Sequence, residues 1–340
     1  MDMCTAPGGT LRVRTRRGVT TLVQARCGCA TGRRQRTVAI NCVKLEPMTA
    51  NNLPSLAGRV ALITGANTGI GLVSARELAA HGAHLFIACR SAERSRPALE
   101  QIRAVARHGP VEFLPLDLGD FASVRQCAQL FLERGLPLHL LINNAGLAGS
   151  RGLTQSGFEL AFGVNHMGHF LLTQLLLERI KASAPARIVT VASRAHYRAT
   201  GIDWMAVCEP TLSRLAIAEY GVSKLANVLF SAELARRLAG SGVGTYALHP
   251  GVVASDVWRS VPWPLRALIK WRMISTEEGA QTTLYCATAP ELEHETGLYY
   301  DRCRPRTPSD LARDQALAQE LWKRSEQWLA GTRASMAPAA

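Results

Sequence analysis

The sequence contains no run of about 18 apolar residues, which is the length that a helix needs to cross a bilayer. We therefore expect no membrane span. No linker rich in proline, glycine or serine divides residues 55–330, and no internal repeat is apparent there, so we expect a single domain. Of the 340 residues, 47% are hydrophobic, which is enough to bury a sizeable core.

The nine cysteines include no C-x-x-C pair, and they lack the regular spacing of a disulfide framework. Cys27 and Cys29 have no matching histidine or cysteine partners, so we predict no metal site. An odd number of scattered cysteines favours a reducing compartment, and we expect a cytoplasmic protein.

Acidic residues are scarce at the amino-terminal end. The formal net charge is +13, of which residues 1–49 carry +7 and the remaining chain +6. We expect this basic arm to be disordered. It is a transit peptide, a nucleic-acid-binding arm or translated sequence upstream of a start at Met48, and we favour the last because the first core strand follows Met48 closely. Arginine-rich segments of the body lack interleaved aromatics, which argues against a nucleic-acid partner.

From Val60 onward, short apolar runs alternate with longer helical patterns. We predict seven strands: Val60–Thr64, His84–Ala88, Val111–Leu116, Leu138–Ile142, Arg187–Val191, Thr245–Leu248 and Leu298–Tyr300. Most are continuously apolar, as in strands covered on both faces, and the segments between them suit right-handed crossover helices. The sequence predicts an α/β protein with one doubly wound, seven-stranded parallel sheet and helices on both faces. The domain spans 55–330, and 331–340 form a flexible tail.

The first predicted strand leads into a glycine-rich turn, and a helical pattern follows it. Glycines let the backbone approach a pyrophosphate, whose charge the helix amino terminus then meets. The order of strand, turn and helix predicts a dinucleotide-binding Rossmann fold. The predicted contacts in the turn are Gly65, Asn67, Thr68, Gly69, Ile70 and Gly71.

The second predicted strand ends in Cys89, Arg90 and Ser91, where dinucleotide sites usually carry an acid that binds the ribose hydroxyls. An arginine is suited instead to a 2′-phosphate, so we predict NADP(H) rather than NAD(H) as the cofactor. The nearby Glu93 keeps NAD(H) open as an alternative.

Tyr220 and Lys224 lie four residues apart in a helical pattern, and therefore on one helix face. A lysine charge stabilises a phenolate and lowers the tyrosine pKa, so this pair is suited to acid–base work. Ser193 ends the fifth strand, at the sheet edge that faces the ligand crevice. His166 and His169 lack a third metal ligand at useful spacing, and we predict ordinary surface or packing residues.

Asn143-Asn144-Ala145-Gly146 follows the fourth strand, and Asn165 lies inside the following helix. With the glycine turn, Ser193 and the Tyr220–Lys224 pair, this series of motifs resembles the short-chain dehydrogenase/reductase family over about residues 55–330. The resemblance implies an oxidoreductase that acts on CH–OH groups and transfers a hydride between NAD(P) and an alcohol or carbonyl compound.

The resemblance also implies a role for each residue. Tyr220 would exchange the proton with the substrate oxygen, which Ser193 would hydrogen-bond. Lys224 would lower the pKa of Tyr220 and bind the nicotinamide ribose, and Asn165 would hold a relay water. Asp117 would face the adenine. The other implied cofactor contacts are Leu118, Asn144, Gly146, Pro250, Gly251, Val253 and Ser255.

Within this family the chain is most similar to the retinol dehydrogenase-like branch, as in Ala195-His196 after the serine and Ser223-Lys224-Leu225-Ala226-Asn227 around the lysine. Known members often have a membrane-anchoring segment ahead of the first strand. This sequence shows none, which argues against a retinoid or membrane-dissolved substrate. The family also admits a homo-oligomer.

Residues 256–275 carry Trp258, Trp263 and Trp271, and in this family that region covers the substrate. A mobile apolar lid there would select a small lipophilic alcohol, aldehyde or ketone. Packing of these tryptophans into the core or a dimer contact is the competing interpretation. A non-catalytic dinucleotide-binding or redox-sensing protein is the alternative function, although Ser193 and the Tyr220–Lys224 pair argue against it.

Overall fold

A computed structural model of the protein describes residues 53–251 and 274–336. The strands are β1 Val60–Thr64, β2 His84–Cys89, β3 Val111–Pro115, β4 Leu140–Asn143, β5 Ala186–Val191, β6 Val243–His249, β7 Leu298–Asp301 and β8 Arg304–Pro305. The helices are α1 Gly69–Ala80, α2 Ala92–Val105, α3 Phe121–Leu132, α4 Leu160–Phe162, α5 Gly168–Ala182, α6 Ile217–Arg237, α7 Thr276–Thr288, α8 Asp310–Arg313 and α9 Gln315–Met336.

Within the described residues, eight strands form one sheet in the order β3-β2-β1-β4-β5-β6-β7-β8. Strands β1 to β7 are parallel, and β8 pairs antiparallel with β7. The predicted doubly wound α/β sheet is confirmed, and the seven predicted strands all occur, the first with its predicted ends and the others with ends shifted by at most two residues. The eighth strand was not predicted, because Arg304–Pro305 is two residues long and has no apolar pattern.

Strand β1 shows why the central strands are apolar at every position. Val60 and Leu62 pack into the core on the side of α3, α5 and α6, whereas Ala61 and Ile63 pack into the core on the side of α1, α2 and α7. All five residues of β1 are buried. A strand that is covered on both faces cannot alternate apolar and polar residues, which explains its continuous apolar run.

The direction in which the chain adds strands reverses between β1 and β4. These two strands pair directly, with β2 and β3 on one side and β5 to β8 on the other. In open α/β sheets, ligands bind in the crevice at the carboxyl ends of the strands beside such a point. The residues that follow β1, β4 and β5 therefore meet at the candidate site.

Helix α9 packs against α6. Trp322 is 3% exposed; its ring stacks on Phe230 with a centroid distance of 5.9 Å and meets Phe170 edge-on at 5.0 Å. The helix continues to Met336, so the domain end predicted at residue 330 falls inside it. No helix of the described part is long and apolar enough to cross a bilayer. The predicted arm 1–49 and most of the predicted lid 256–275 lie outside the described residues.

Candidate active site

The turn between β1 and α1 has no room for side chains at two glycines. A Cβ atom on Gly65, whose φ is +68°, would lie 2.8 Å from the Cβ of Ala145. A Cβ on Gly71 would lie 2.4 Å from the carbonyl oxygen of Gly65. Glycine thus lets the turn lie directly against the loop that follows β4.

The amino terminus of α1 is suited to an anion. The N-cap Thr68 makes no side-chain capping bond within the described part of the chain, and the first turn carries no acidic residue. The side chains of Ser91 and Asp120, in contrast, cap α2 and α3. Free N–H groups and the positive helix end fit the diphosphate of a dinucleotide.

Thr64 joins the glycine turn to the loop after β4. Its Oγ1 accepts the backbone N–H groups of Asn144 at 3.0 Å and Ala145 at 2.9 Å. The side-chain amide of Asn144 donates back to the Thr64 carbonyl oxygen at 2.8 Å. Thr64 was not predicted as a site residue, although it directly precedes Gly65 of the glycine-rich turn.

Asn165 lies in a π-helical turn, Gly163–Met167, rather than in a regular helix as predicted. Its Nδ2 donates to the Leu147 carbonyl oxygen at 3.0 Å and to Ser223 Oγ at 2.9 Å, and its Oδ1 accepts the Leu147 N–H at 2.9 Å. π-Helical turns within helices are frequent at functional sites. The side chain of Asn165 therefore holds the loop after β4 through two bonds and joins it to α6 through the third.

Ser193 follows β5, and Tyr220 and Lys224 lie on successive turns of α6. A side-chain hydrogen bond joins Tyr220 to Ser193. The Nζ of Lys224 donates to the Val191 carbonyl oxygen at 2.8 Å and lies 5.7 Å from the centre of the Tyr220 ring. The fold brings Ser193, at the end of β5, together with the Tyr220–Lys224 pair of α6.

Desolvation determines the protonation of this group. Lys224 is 3% exposed, and burial lowers its pKa to about 7. Desolvation raises the pKa of the Tyr220 phenol, while the bond with Ser193 acts in the opposite direction. This direction differs from the predicted lowering by Lys224, because the burial of the phenol, which raises the pKa, outweighs the lowering by Ser193.

Ser193, Tyr220 and Lys224 line a cavity of about 820 Å³. Most predicted cofactor contacts line the same cavity: Gly65, Asn67, Thr68, Gly69, Ile70, Gly71, Arg90, Asp117, Leu118, Asn144, Gly146, Pro250 and Gly251. Asn165 lies behind Gly146, since a Cβ atom on that glycine would be 3.2 Å from Asn165 Oδ1. Val253 and Ser255 lie outside the described residues.

Comparison with known proteins identifies the family. Residues 59–263 match the family model described as short chain dehydrogenase. The chain belongs to the short-chain dehydrogenase family. It is 48% identical over 273 residues to retinol dehydrogenase 12 of Homo sapiens, covering 78% of this chain and 85% of that protein. It is 44% identical over 300 residues to dehydrogenase/reductase SDR family member 13 of Bos taurus, covering 86% and 78%.

Solved structures agree with this assignment. An uncharacterized protein from Mycobacterium paratuberculosis is 36% identical, with a TM-score of 0.67 over 83% of this chain and 97% of that chain. The RhlG/NADP active-site complex of Pseudomonas aeruginosa is 29% identical, with a TM-score of 0.58 over 72% and 94%. This short-chain dehydrogenase is therefore an oxidoreductase that uses an NAD(P) dinucleotide and acts on CH–OH donors.

Two arginines of this family member line the cavity where β2 meets α2. Arg90 was predicted from the sequence, whereas Arg94, in the first turn of α2, was not. The available signal was its distance of only four residues from Arg90, which lies directly before the N-cap Ser91. Asp117 lines the cavity as well, and its Oδ1 accepts the N–H of Gly119 at 2.9 Å.

The histidines His166 and His169 are each 1% exposed, so the expectation of surface residues is wrong and packing residues remain. His249, which was not predicted as a site residue, lines the cavity. Burial lowers the pKa of both His169 and His249 to about 4, so each ring is neutral near pH 7. The described residues include no cluster of three potential metal ligands.

Proposed function

We propose that the protein is an NADP(H)-preferring oxidoreductase that interconverts a lipophilic alcohol and its aldehyde or ketone. One observation carries the proposal: Ser193, Tyr220 and Lys224 line the cavity into which the glycine turn opens. A proton donor, a ligand for the substrate oxygen and a cation are then available beside the bound dinucleotide.

Tyr220 performs the proton transfer. Its hydroxyl donates its proton to the carbonyl oxygen during reduction and becomes a phenolate, and this phenolate accepts the alcohol proton during oxidation. Because desolvation raises the pKa of Tyr220, the phenol is protonated near pH 7, which is the form that reduction requires. Ser193, already bonded to Tyr220, orients the same substrate oxygen. The dinucleotide supplies or accepts the hydride when it is bound.

The other site residues hold the dinucleotide. The amino terminus of α1 receives the diphosphate, and Asn144 and Gly146 form the wall beside it. Lys224 binds the nicotinamide ribose with the N–H groups that are not bonded to the Val191 carbonyl oxygen. Asp117 faces the adenine. Asn165 keeps this wall in place through its two bonds to the backbone of Leu147, and its role in holding a relay water stays a prediction.

Arg90 and Arg94 support the preference for NADP(H). Both line the cavity at the end of β2, where the adenosine ribose of a dinucleotide lies in this fold. Two guanidinium groups that line the same part of the cavity, one just before α2 and one in its first turn, suit a 2′-phosphate, which carries negative charge that a plain ribose lacks.

The proposed substrate is lipophilic because apolar side chains line part of the cavity. These residues are Leu147, Ala148, Leu153, Leu160 and Val164. Retinol is the first alcohol to test, since several relatives at 43–48% identity are named retinol dehydrogenases. These names favour testing a retinoid, although the missing membrane-anchoring segment was expected to argue against such a substrate.

Turnover of NADPH with a panel of lipophilic aldehydes and ketones, retinal included, tests the reaction, with Tyr220→Phe as the matched variant. We expect turnover in Tyr220→Phe to fall about 10²–10⁴-fold while its Kd for NADPH stays within about twofold. Full turnover in Tyr220→Phe would refute its role. Binding of NADPH by the wild type without turnover of any panel member would favour the sensor function instead.

The cofactor preference is tested by the Kd values of Arg90→Ala for NADPH and NADH. We expect about tenfold or greater weakening for NADPH, because a charge-assisted bond to phosphate is lost, and less than about twofold for NADH. Arg96→Ala is the control, because Arg96 is an exposed arginine of the adjacent helix α2 that does not line the cavity. Equal losses for both dinucleotides would refute the argument.

A further inference from the structure

The loop Asn144–Leu147 is held from two sides. Thr64, at the end of β1, accepts the N–H groups of Asn144 and Ala145. Asn165, in the π-helical turn, exchanges two hydrogen bonds with the backbone of Leu147. We propose that His169 is a positioning residue that joins Thr64 to Asn165 and so closes a hydrogen-bonded ring around this loop. The proposal rests on the function proposed above, in which the loop forms the dinucleotide wall.

Both ring nitrogens of His169 have partners. Its Nε2 lies 2.9 Å from Thr64 Oγ1, and its Nδ1 lies 3.0 Å from the carbonyl oxygen of Asn165. The residue is 1% exposed. The hydrogen-bonded ring therefore runs from Thr64 through the loop to Asn165 and returns through the imidazole of His169. Every link has a normal hydrogen-bond distance.

The partners determine the tautomer. A carbonyl oxygen only accepts, so Nδ1 carries the proton and donates to Asn165. Nε2 is then an acceptor, and the Thr64 hydroxyl donates to it. With its proton used in this way, Thr64 Oγ1 retains its lone pairs for the two loop N–H groups. The opposite tautomer would put a lone pair of Nδ1 against the Asn165 carbonyl oxygen and leave Thr64 only a 3.4 Å contact to Ile142.

A neutral imidazole is required for this arrangement, since a doubly protonated ring could not accept the Thr64 hydroxyl proton. Burial lowers the pKa of His169 to about 4, and the nearby charge of Lys224 acts in the same direction. The backbone bond to Asn165 opposes this shift without reversing it. The imidazole is therefore neutral, and the hydrogen-bonded ring around the loop intact, throughout the neutral pH range.

The two arms of His169 act on different parts of the site. The Thr64 arm fixes Asn144 and Ala145, which lie against the glycine turn. The Asn165 arm fixes the side of the loop near Lys224, since a Cβ on Gly146 would be 3.2 Å from Asn165 Oδ1 and 3.4 Å from Lys224 Nζ. Loss of the first arm weakens dinucleotide binding, whereas loss of the second lowers turnover.

Two substitutions separate the arms. In His169→Asn, the side-chain amide nitrogen takes the place of Nδ1 and keeps the bond to Asn165, but it does not reach Thr64. In His169→Gln, the amide oxygen reaches the position of Nε2 and keeps the bond from Thr64. We expect His169→Asn to raise the Kd for NADPH about tenfold with kcat within about threefold of the wild type. We expect His169→Gln to lower kcat about tenfold with the Kd for NADPH within about threefold. His108→Asn, at an exposed histidine, is the control.

A lower melting temperature of both variants with unchanged Kd and kcat would overturn the proposal, because it would mean that His169 only supports the fold. Equal changes in Kd and kcat for both variants would also overturn it.

A double-mutant cycle with Thr64→Val and His169→Phe tests the ring without relying on turnover. If the two residues share a bond, the change in NADPH Kd of the double variant is smaller than the product of the single changes by about fivefold. Simple multiplication of the two effects would overturn the proposal. Since this cycle measures binding alone, it remains valid if the wild type turns over no substrate and the proposed reaction fails.

Discussion

Lys224 is buried at the expense of stability, and its replacement by methionine should make the protein more stable. Burial lowers the pKa of Lys224 from 10.5 to about 7. At pH 7 the unfolded chain therefore binds more protons than the folded chain, which destabilises the fold by about 4 kcal/mol. Lys224→Met removes the titrating group but also its bond to the Val191 carbonyl oxygen, worth about 1 kcal/mol. We expect a net gain of about 3 kcal/mol at pH 7.

The gain depends on pH in a defined direction. Because the folded pKa lies below the unfolded value, the penalty is fully present below about pH 7 and disappears as the pH rises toward 10.5. Urea unfolding of both proteins at about pH 7 and about pH 9.5 measures the difference, and we expect most of the gain to vanish at the higher pH.

Lys181→Met is the control, because Lys181 is 41% exposed and pairs with Glu178 at the surface. Its effect should stay below about 1 kcal/mol at both pH values. The reasoning is refuted if Lys224→Met is less stable than the wild type at pH 7, or if its gain is the same at both pH values. Turnover should be lost in the same variant, since the ammonium group serves the site and not the fold.

Two further substitutions test the turn and the last helix. Gly71→Ala should raise the Kd for NADPH at least about tenfold, because the new methyl group collides with the turn itself. Gly331→Ala is the control and should leave the Kd unchanged, because its Cβ position has open space around it. Equal Kd values for the two variants would contradict the packing argument. Trp322→Ala should lower the free energy of unfolding by about 3–5 kcal/mol in urea titrations, since it removes a buried aromatic side chain. Met205→Ala is the control, because Met205 is 76% exposed. A loss as small as that of the control would show that α9 is not part of the core.

The parts of the site that were predictable are those with a local signal. The spacing of Tyr220 and Lys224 indicated one helix face, and the continuous apolar run before Ser193 indicated a buried strand that ends at the crevice. The sheet topology then places these residues together, because the carboxyl ends of parallel strands lie at one edge of the sheet. The family resemblance, confirmed by the comparisons, rested on the same motifs.

The parts that were not predictable depend on contacts between distant segments. His169 was dismissed as a surface or packing residue, because nothing near it in sequence shows that Thr64 lies 2.9 Å away. The π-helical turn around Asn165 has no distinct composition, and the bonds of Asn165 to Leu147 join two segments that are separated in the sequence. The shift in the pKa of Tyr220 likewise reflects burial, which the spacing to Lys224 does not report.

The packing of α9 on α6 has a consequence for how the enzyme is made. Helix α6 carries Tyr220 and Lys224, yet Phe230 on the same helix is covered by Trp322 of α9. During synthesis the chain emerges from its amino terminus, so all the proposed catalytic residues leave the ribosome before the helix that covers this aromatic ring. The nascent chain thus contains every proposed catalytic residue while its catalytic helix still exposes apolar surface, and that surface is covered only after α9 has been translated.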